Sequence, residues 1–169
     1  LSVTPSTTSY IVNGVTYTRE VFTSFADDVT IMRITASEPG RLDFNVCYAA
    51  PIKTNMAKLG VNEITSDGMI KASLIPAKTK TENVDNKLNC YTFIKVINDG
   101  GTQTSTARQN VIQQGIVAGN PSAPTISVYG ATSAVILISS ATNFERYDDI
   151  SGDAEAKALA HIETWIAKG

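Results

Sequence analysis

The sequence predicts a mainly β fold: an antiparallel β-sandwich with one C-terminal α-helix. Three observations carry that prediction. Apolar residues recur with period two along most of the chain, glycine-centred turns separate the periodic runs, and a helical period appears only near the end. Many short strands joined by turns, with no helices alternating between them, favour antiparallel sheets. The 169 residues suffice for one domain with a buried core.

Taken in order, Leu1 to Ser9 is rich in Ser and Thr, contains Pro5, and reads as an incoming extended segment. Asn13-Gly14 between Ile11-Val12 and Val15-Thr16 is a hairpin signal, because a type I′ turn needs positive φ at both central residues. Thr16 to Phe22, Val29 to Thr35 and Arg41 to Tyr48 then alternate as strands do. In the third run Leu42, Phe44, Val46 and Tyr48 share one face and Arg41, Asp43, Asn45 and Cys47 the other, which predicts a sheet with one buried side. Glu38-Pro39-Gly40, Ser66-Asp67-Gly68 and Asn98-Asp99-Gly100-Gly101 are turns. Further strands are expected at Glu63 to Thr65, Met69 to Ile75, Tyr91 to Ile97, Thr102 to Ala107, Thr125 to Tyr129 and Ala134 to Ser140. Lys78 to Asn89 and Gln109 to Pro124 lack periodicity and read as loops.

The helix is expected from Ala154 to Lys168. Asp153 supplies an N-cap acceptor and Glu155 suits the positive end of the helix dipole. Ala158, Leu159, Ile162, Trp165 and Ile166 form one apolar stripe that must pack against the sheet or against a following helical domain. The chain thus divides into a β-sandwich over residues 1–152 and a linker-type amphipathic helix over 153–169.

Charge narrows the partners. Fourteen basic residues against sixteen acidic ones give a net charge of −2 with no Lys/Arg run, which argues against nucleic acid. No stretch reaches the ~20 apolar residues of a membrane span. The N-terminus carries no signal-peptide pattern, so the chain is expected to have lost a leader or to be part of a longer polypeptide.

Motifs for chemistry are sparse. Cys47 and Cys90 read as two half-buried strand thiols or as one disulfide, and their spacing gives no metal signal. The single histidine, His161, borders the helix stripe and makes a poor metal ligand by itself; no Gly-x-Ser-x-Gly elbow accompanies it, although composition leaves a Ser-His-Asp site open. Asp27-Asp28 and Asp148-Asp149 are adjacent acids in turns, and adjacent residues point apart rather than flank a scissile bond. Tyr10, Tyr17, Tyr91, Tyr129 and Tyr147 form either a sugar-stacking platform or core and cross-strand pairs. No catalytic, cofactor-binding or metal-binding residue is assigned.

Five ordered blocks nevertheless carry a resemblance. They are Val12 to Phe22 (VNGVTYTREVF), Ser24 to Phe44 with SFADDVTIMRITA and PGRLDF, Val96 to Thr102 (VINDGGT), Ala131 to Phe144 (ATSAVILISSATNF), and Tyr147 to Asp153 (YDDISGD). In order and spacing these are similar to the N-terminal β-domain of glycoside hydrolase family 95, the α-L-fucosidases with some α-galactosidases. The chain departs from the family pattern at Ala26, Asp28 and Ala154, which are surface or turn positions.

The resemblance implies a super-sandwich domain of an inverting α-L-fucosidase-like hydrolase, periplasmic or extracellular in a bacterium. Its catalytic carboxylates belong to an (α/α)6 barrel, and helices of about 11 residues each do not fit into the one helix available here. No family catalytic residue maps onto this chain. The expected role is non-catalytic: the sandwich packs on the parent's helical barrel and lends a loop to the rim of a pocket for fucosylated oligosaccharide. The alternatives are an independent carbohydrate-binding sandwich and a structural adhesin-like domain, against which the terminal helix argues.

Overall fold

The computed structural model describes residues 4–48, 62–74, 87–106 and 124–168. It opens with the hairpin that Asn13-Gly14 demands. Both residues take positive φ, 52° and 83°, and join β1 (Ser6–Val12) to β2 (Val15–Ser24) in antiparallel register with Val12 opposite Val15. Residues 6–9 are therefore paired in a strand rather than leading into one, because β1 lies against β2 from Val15 to Val21.

The other strands are β3 (Val29–Ala36), β4 (Leu42–Cys47), β5 (Asn62–Ile64), β6 (Ile70–Leu74), β7 (Cys90–Asp99), β8 (Thr102–Thr106), β9 (Thr125–Ala131) and β10 (Ser133–Thr142). One helix, α1 (Ala154–Ala167), follows. Two antiparallel sheets result: seven strands in the order β1-β2-β3-β10-β7-β6-β5, and three in the order β4-β9-β8. The loop readings over 78–86 and 109–123 lie outside the described residues.

The sheets face each other across a first core. Ile34, Ile94, Val96 and Ile136 from the large sheet meet Leu42, Ile126 and Val128 from the small one. Phe44, Val46 and Tyr48 pack against the same core, so β4 presents the face that its alternation predicts. A second core lies on the outer face of the large sheet. There Val29, Ile31, Phe93 and Leu137 pack under Ala158 and Ile162 of α1.

This second core corrects the expectation of a sheet buried on one side only. The centre of the large sheet is buried on both, and the run Ala134 to Ile138 shows why. Ala134 and Ile136 face the small sheet while Val135 and Leu137 face the helix, so no residue of the run can be polar.

The helix begins where expected. The Asp153 side chain accepts from Ala156 N at 3.0 Å, satisfying a donor that the first turn leaves free. Ala154, Ala158 and Ile162 are buried, and Leu159 and Trp165 pack at the margin. Ile166 departs from the stripe: it is 43% exposed, although Trp165 beside it packs at the margin of the core.

Two stability predictions follow from these contacts. Ile162→Ala should cost about 2–5 kcal/mol by denaturant titration, whereas Ile166→Ala should stay within about 0.5 kcal/mol. Gly101, at φ 68°, turns against β9 so closely that an added Cβ would overlap the Tyr129 carbonyl, whereas one at Gly14 would meet open space. Both alanines carry the left-handed backbone cost of about 1–2 kcal/mol. Only Gly101→Ala adds a backbone clash, so its thermal midpoint should fall further.

Candidate functional site

Among the described residues the two sheets differ in width by four strands; Val15 and Tyr17 of β2 still reach the inner core, whereas β1 is exposed along its length. A groove of about 280 Å³ forms there, lined chiefly by Tyr10, Tyr17, Arg19, Arg41, Asp43 and Phe44. Strand register builds it. Tyr10 lies directly opposite Tyr17, and their rings stack with centroids 5.4 Å apart and planes 18° from parallel. Such a pair contributes about 0.5–1.5 kcal/mol beyond its buried area.

Arg19 shares the face two residues along β2. Its guanidinium carbon lies 5.3 Å from the Tyr10 ring centroid, and Nη2 donates to Tyr10 Oη at 3.1 Å. Tyr17 Oη donates to the Arg41 carbonyl at 2.9 Å, tying β2 to the start of β4. Arg41 pairs with Glu38 at 3.1 Å, and Asp43 Oδ1 accepts from Gly130 N at 2.6 Å. The groove offers ring edges and hydrogen-bonding groups. Asp43 is the one acid among its lining residues, so it holds no acid–base pair.

The remaining tyrosines do not join this platform. Tyr91 packs into the core under α1, Tyr129 is exposed on β9, and Tyr147 stands almost fully exposed beyond β10. The five tyrosines therefore divide into one cross-strand pair and three separate positions.

A Ser-His-Asp cluster does exist, at the crossing of α1 and the large sheet. Ser139 Oγ and His161 Nδ1 are 3.0 Å apart, and His161 Nε2 lies 3.9 Å from Asp28 Oδ2. Ser139 Oγ also donates to the Asp28 carbonyl at 3.3 Å. The arrangement lacks what a nucleophile needs: Ser139 is 1% exposed, sealed between helix and sheet, so no carbonyl substrate can reach its hydroxyl. The cluster fastens the helix instead.

The other flagged acids are fasteners too. Asp27 pairs with Lys168 and accepts from Ser24 Oγ at 2.7 Å. These two contacts, Lys168 first, hold its carboxyl below the usual carboxylate range. Asp148 pairs with Arg146 at 2.9 Å, and Asp149 Oδ1 accepts from both the Ser151 hydroxyl and the Ser151 amide. Those Ser151 contacts also lower the Asp149 carboxyl.

Geometry then separates the two acid pairs. Asp27 meets the C-terminal end of α1, while Asp149 binds just before its N-cap. The 14-residue helix between them spans about 21 Å at 1.5 Å per residue. Glycosidase carboxylates are at most about 9.5 Å apart, so these acids cannot flank one bond.

Cys47 and Cys90 are both free, on different sheets. Burial pushes the Cys90 thiol up, which suppresses the reactive thiolate. Among the described residues no group of three His, Cys, Asp or Glu side chains is placed to hold a metal ion. No helix among them is long and apolar enough to cross a membrane.

Sequence reasoning overlooked Arg19, Arg41 and Asp43. Period two does place Arg19 on the Tyr17 face, but only the approach of β4 brings Arg41 and Asp43 beside it. It also overlooked Lys71, whose Nζ reaches Glu63 at 2.7 Å and Glu155 of α1 at 3.1 Å. Glu63 first, then Glu155, raises the Lys71 ammonium above the usual lysine value.

Comparison with known proteins follows this architecture. The family described as "Glycosyl hydrolase family 65, N-terminal domain" matches residues 1–147. A curated relative, alpha-L-fucosidase 2 of Arabidopsis thaliana, is 28% identical over 141 residues. That stretch is 81% of this chain and 16% of the relative, so the chain spans about a sixth of the relative's length.

The fasteners at the two ends of α1 titrate oppositely. Asp27 is lowered on folding, so its contribution is complete above the unfolded carboxylate pKa and is lost as pH falls through the folded value. Lys71 is raised, so its contribution is complete below the ordinary lysine pKa and is lost as pH rises through the folded value. Unfolding midpoints measured across pH should fall less steeply below pH ~4 in Asp27→Asn, and less steeply above pH ~10 in Lys71→Met. An unchanged slope in either variant would contradict the assignment.

Proposed function

The chain belongs to the family of glycosyl hydrolase family 65 N-terminal domains, and on that premise we propose that it is a non-catalytic accessory sandwich of a larger glycoside hydrolase. The finer reading is a parent of the family 95 type, an inverting α-L-fucosidase-like enzyme whose active site lies in an (α/α)6 barrel. The similarity to the Arabidopsis alpha-L-fucosidase and the five sequence blocks support it. A periplasmic or extracellular location belongs to the same reading.

One observation carries the non-catalytic role: the flagged acids are used internally, on opposite ends of α1. Ground-state geometry of that kind cannot protonate a leaving group on one side of a sugar and activate water on the other. The exposed β1 fits the same reading, as the seat of further strands from the parent that widen the small sheet past β4. The helix then serves as the strap between sandwich and barrel, pinned to the sandwich at Lys71, Ser139 and Asp27.

The groove favours a second reading, an independent carbohydrate-binding sandwich. Stacked tyrosines beside Arg19 and Asp43 offer apolar rings and planar hydrogen-bonding groups, the combination a neutral sugar ring uses.

Two measurements decide between these. The 169-residue chain incubated with aryl α-L-fucosides should release no phenol above background, and turnover by this chain would refute the accessory role. In calorimetric titration with fucosylated oligosaccharides the accessory reading expects no heat. Heat that disappears in Tyr10→Ala would establish the second reading instead.

A further inference from the structure

We propose that residues 143–152 form a preformed docking knob, with Phe144, Tyr147 and Ile150 as its apolar contacts, for an apolar recess on the remainder of the parent polypeptide. The inference rests on the accessory-domain reading and names the surface through which that domain is held.

The exposure is the first observation. Phe144 is 51% exposed, Tyr147 93% and Ile150 39%, all within seven residues. A single exposed apolar side chain is ordinary in a folded protein; three together in one short segment mark a surface meant to be covered. A large exposed tyrosine is also the kind of side chain that anchors interfaces, giving wide contact area for few rotatable bonds.

The segment is held rigid from within. Asn143 is buried, and its Nδ2 donates to the Lys87 carbonyl at 3.0 Å and to the Ile150 carbonyl at 2.8 Å. Its Oδ1 accepts from Asn89 N at 2.8 Å. Gly152 N donates to the Asn143 carbonyl at 3.1 Å, closing the base. At the tip Arg146 and Asp149 exchange two backbone hydrogen bonds of 3.1 and 3.0 Å, so Tyr147 is carried on a tight turn. A segment already ordered in the free domain loses little conformational entropy on association, which is what a docking element requires.

Charge selects the kind of partner. Glu145 pairs with Lys157 at 2.6 Å, Arg146 with Asp148 at 2.9 Å, and Asp149 is engaged by Ser151. The charged groups around the knob are paired with their own neighbours, so its apolar contacts carry an internally neutralised polar rim in which Arg146 and Asp148, beside Tyr147, stay exposed. That suits a complementary apolar recess and offers no cationic patch for a polyanion.

Chain length selects the owner of that recess. The matched stretch makes up 16% of the Arabidopsis relative, so more than four fifths of a protein of that size lies outside it. The knob also sits between β10 and α1, joined directly to the strap that the accessory reading assigns to the barrel connection.

Hydroxyl-radical footprinting of the intact parent polypeptide and of the 169-residue chain, read by mass spectrometry, tests this. Oxidation of Tyr147 and Phe144 should be about tenfold slower in the intact protein, as expected for an interface anchor. Phe25, 87% exposed in the β2–β3 turn, serves as the reference site. Equal Tyr147 oxidation in both overturns the knob. If protection then appears elsewhere on the domain, the accessory reading survives; if it appears nowhere, both fail.

Protection that instead grows with the concentration of the isolated chain would identify a second copy as the occupant and overturn the proposal. The double variant Phe144→Ser, Tyr147→Ser supplies an independent check. It should leave unfolding of the isolated chain unchanged, yet restore fast oxidation at Ile150 in the intact protein. Ile150 remaining protected there would show that the knob is not the contact.

Discussion

The structure depends on one constraint: a seven-stranded sheet must be covered on both faces by elements narrower than itself. The three-stranded sheet covers the inner face only as far as β4, and α1 covers the outer face across β6, β7, β10 and β3. Where the covers overlap, at β10 and β7, the sheet is dry on both sides and its residues are apolar in succession. Where the inner cover stops, an open groove appears over the β1–β2 hairpin.

That arrangement explains where polar chemistry is placed. Most buried polar groups are hydrogen-bonded, and buried Ser139 is so through His161 and the Asp28 carbonyl, which fastens helix to sheet. Lys71 does the same at the start of the helix and Lys168 at its end. Of the residue types a hydrolase uses, Ser139, His161 and Asp27 fasten α1 to the sheet, while Asp148 and Asp149 bind within their own turn. The Ser139 hydroxyl is sealed under the helix, and Asp27 and Asp149 are engaged near opposite ends of a helix about 21 Å long.

Much of the fold was legible in the sequence because strand alternation and turn chemistry are local. Asn13-Gly14 fixed the first hairpin, Leu42 to Tyr48 presents its predicted face, and Asp153 caps α1 as its short side chain implies. The expected ends of β7 and β10 fell short by one or two residues because pairing with a neighbour extends a strand beyond its own pattern: the two pair from Cys90 opposite Thr142 to Asp99 opposite Ser133. Ile166 also departs from the stripe: helical period names a face, but tertiary packing decides how much of that face is covered.

The sequence by itself determined the class of fold, the turns, the capped helix and the alternation that separates core from surface, since each depends on residues close together in the chain. Tertiary structure alone decided which sheet each strand joins and which face the helix covers. It also decided that Tyr10 and Tyr17 share a groove with Arg19, Arg41 and Asp43, that Ser139 meets His161, and that Cys47 and Cys90 are left unbonded on different sheets. These are meetings between residues distant in the chain, and they follow from strand order, which local periodicity does not encode.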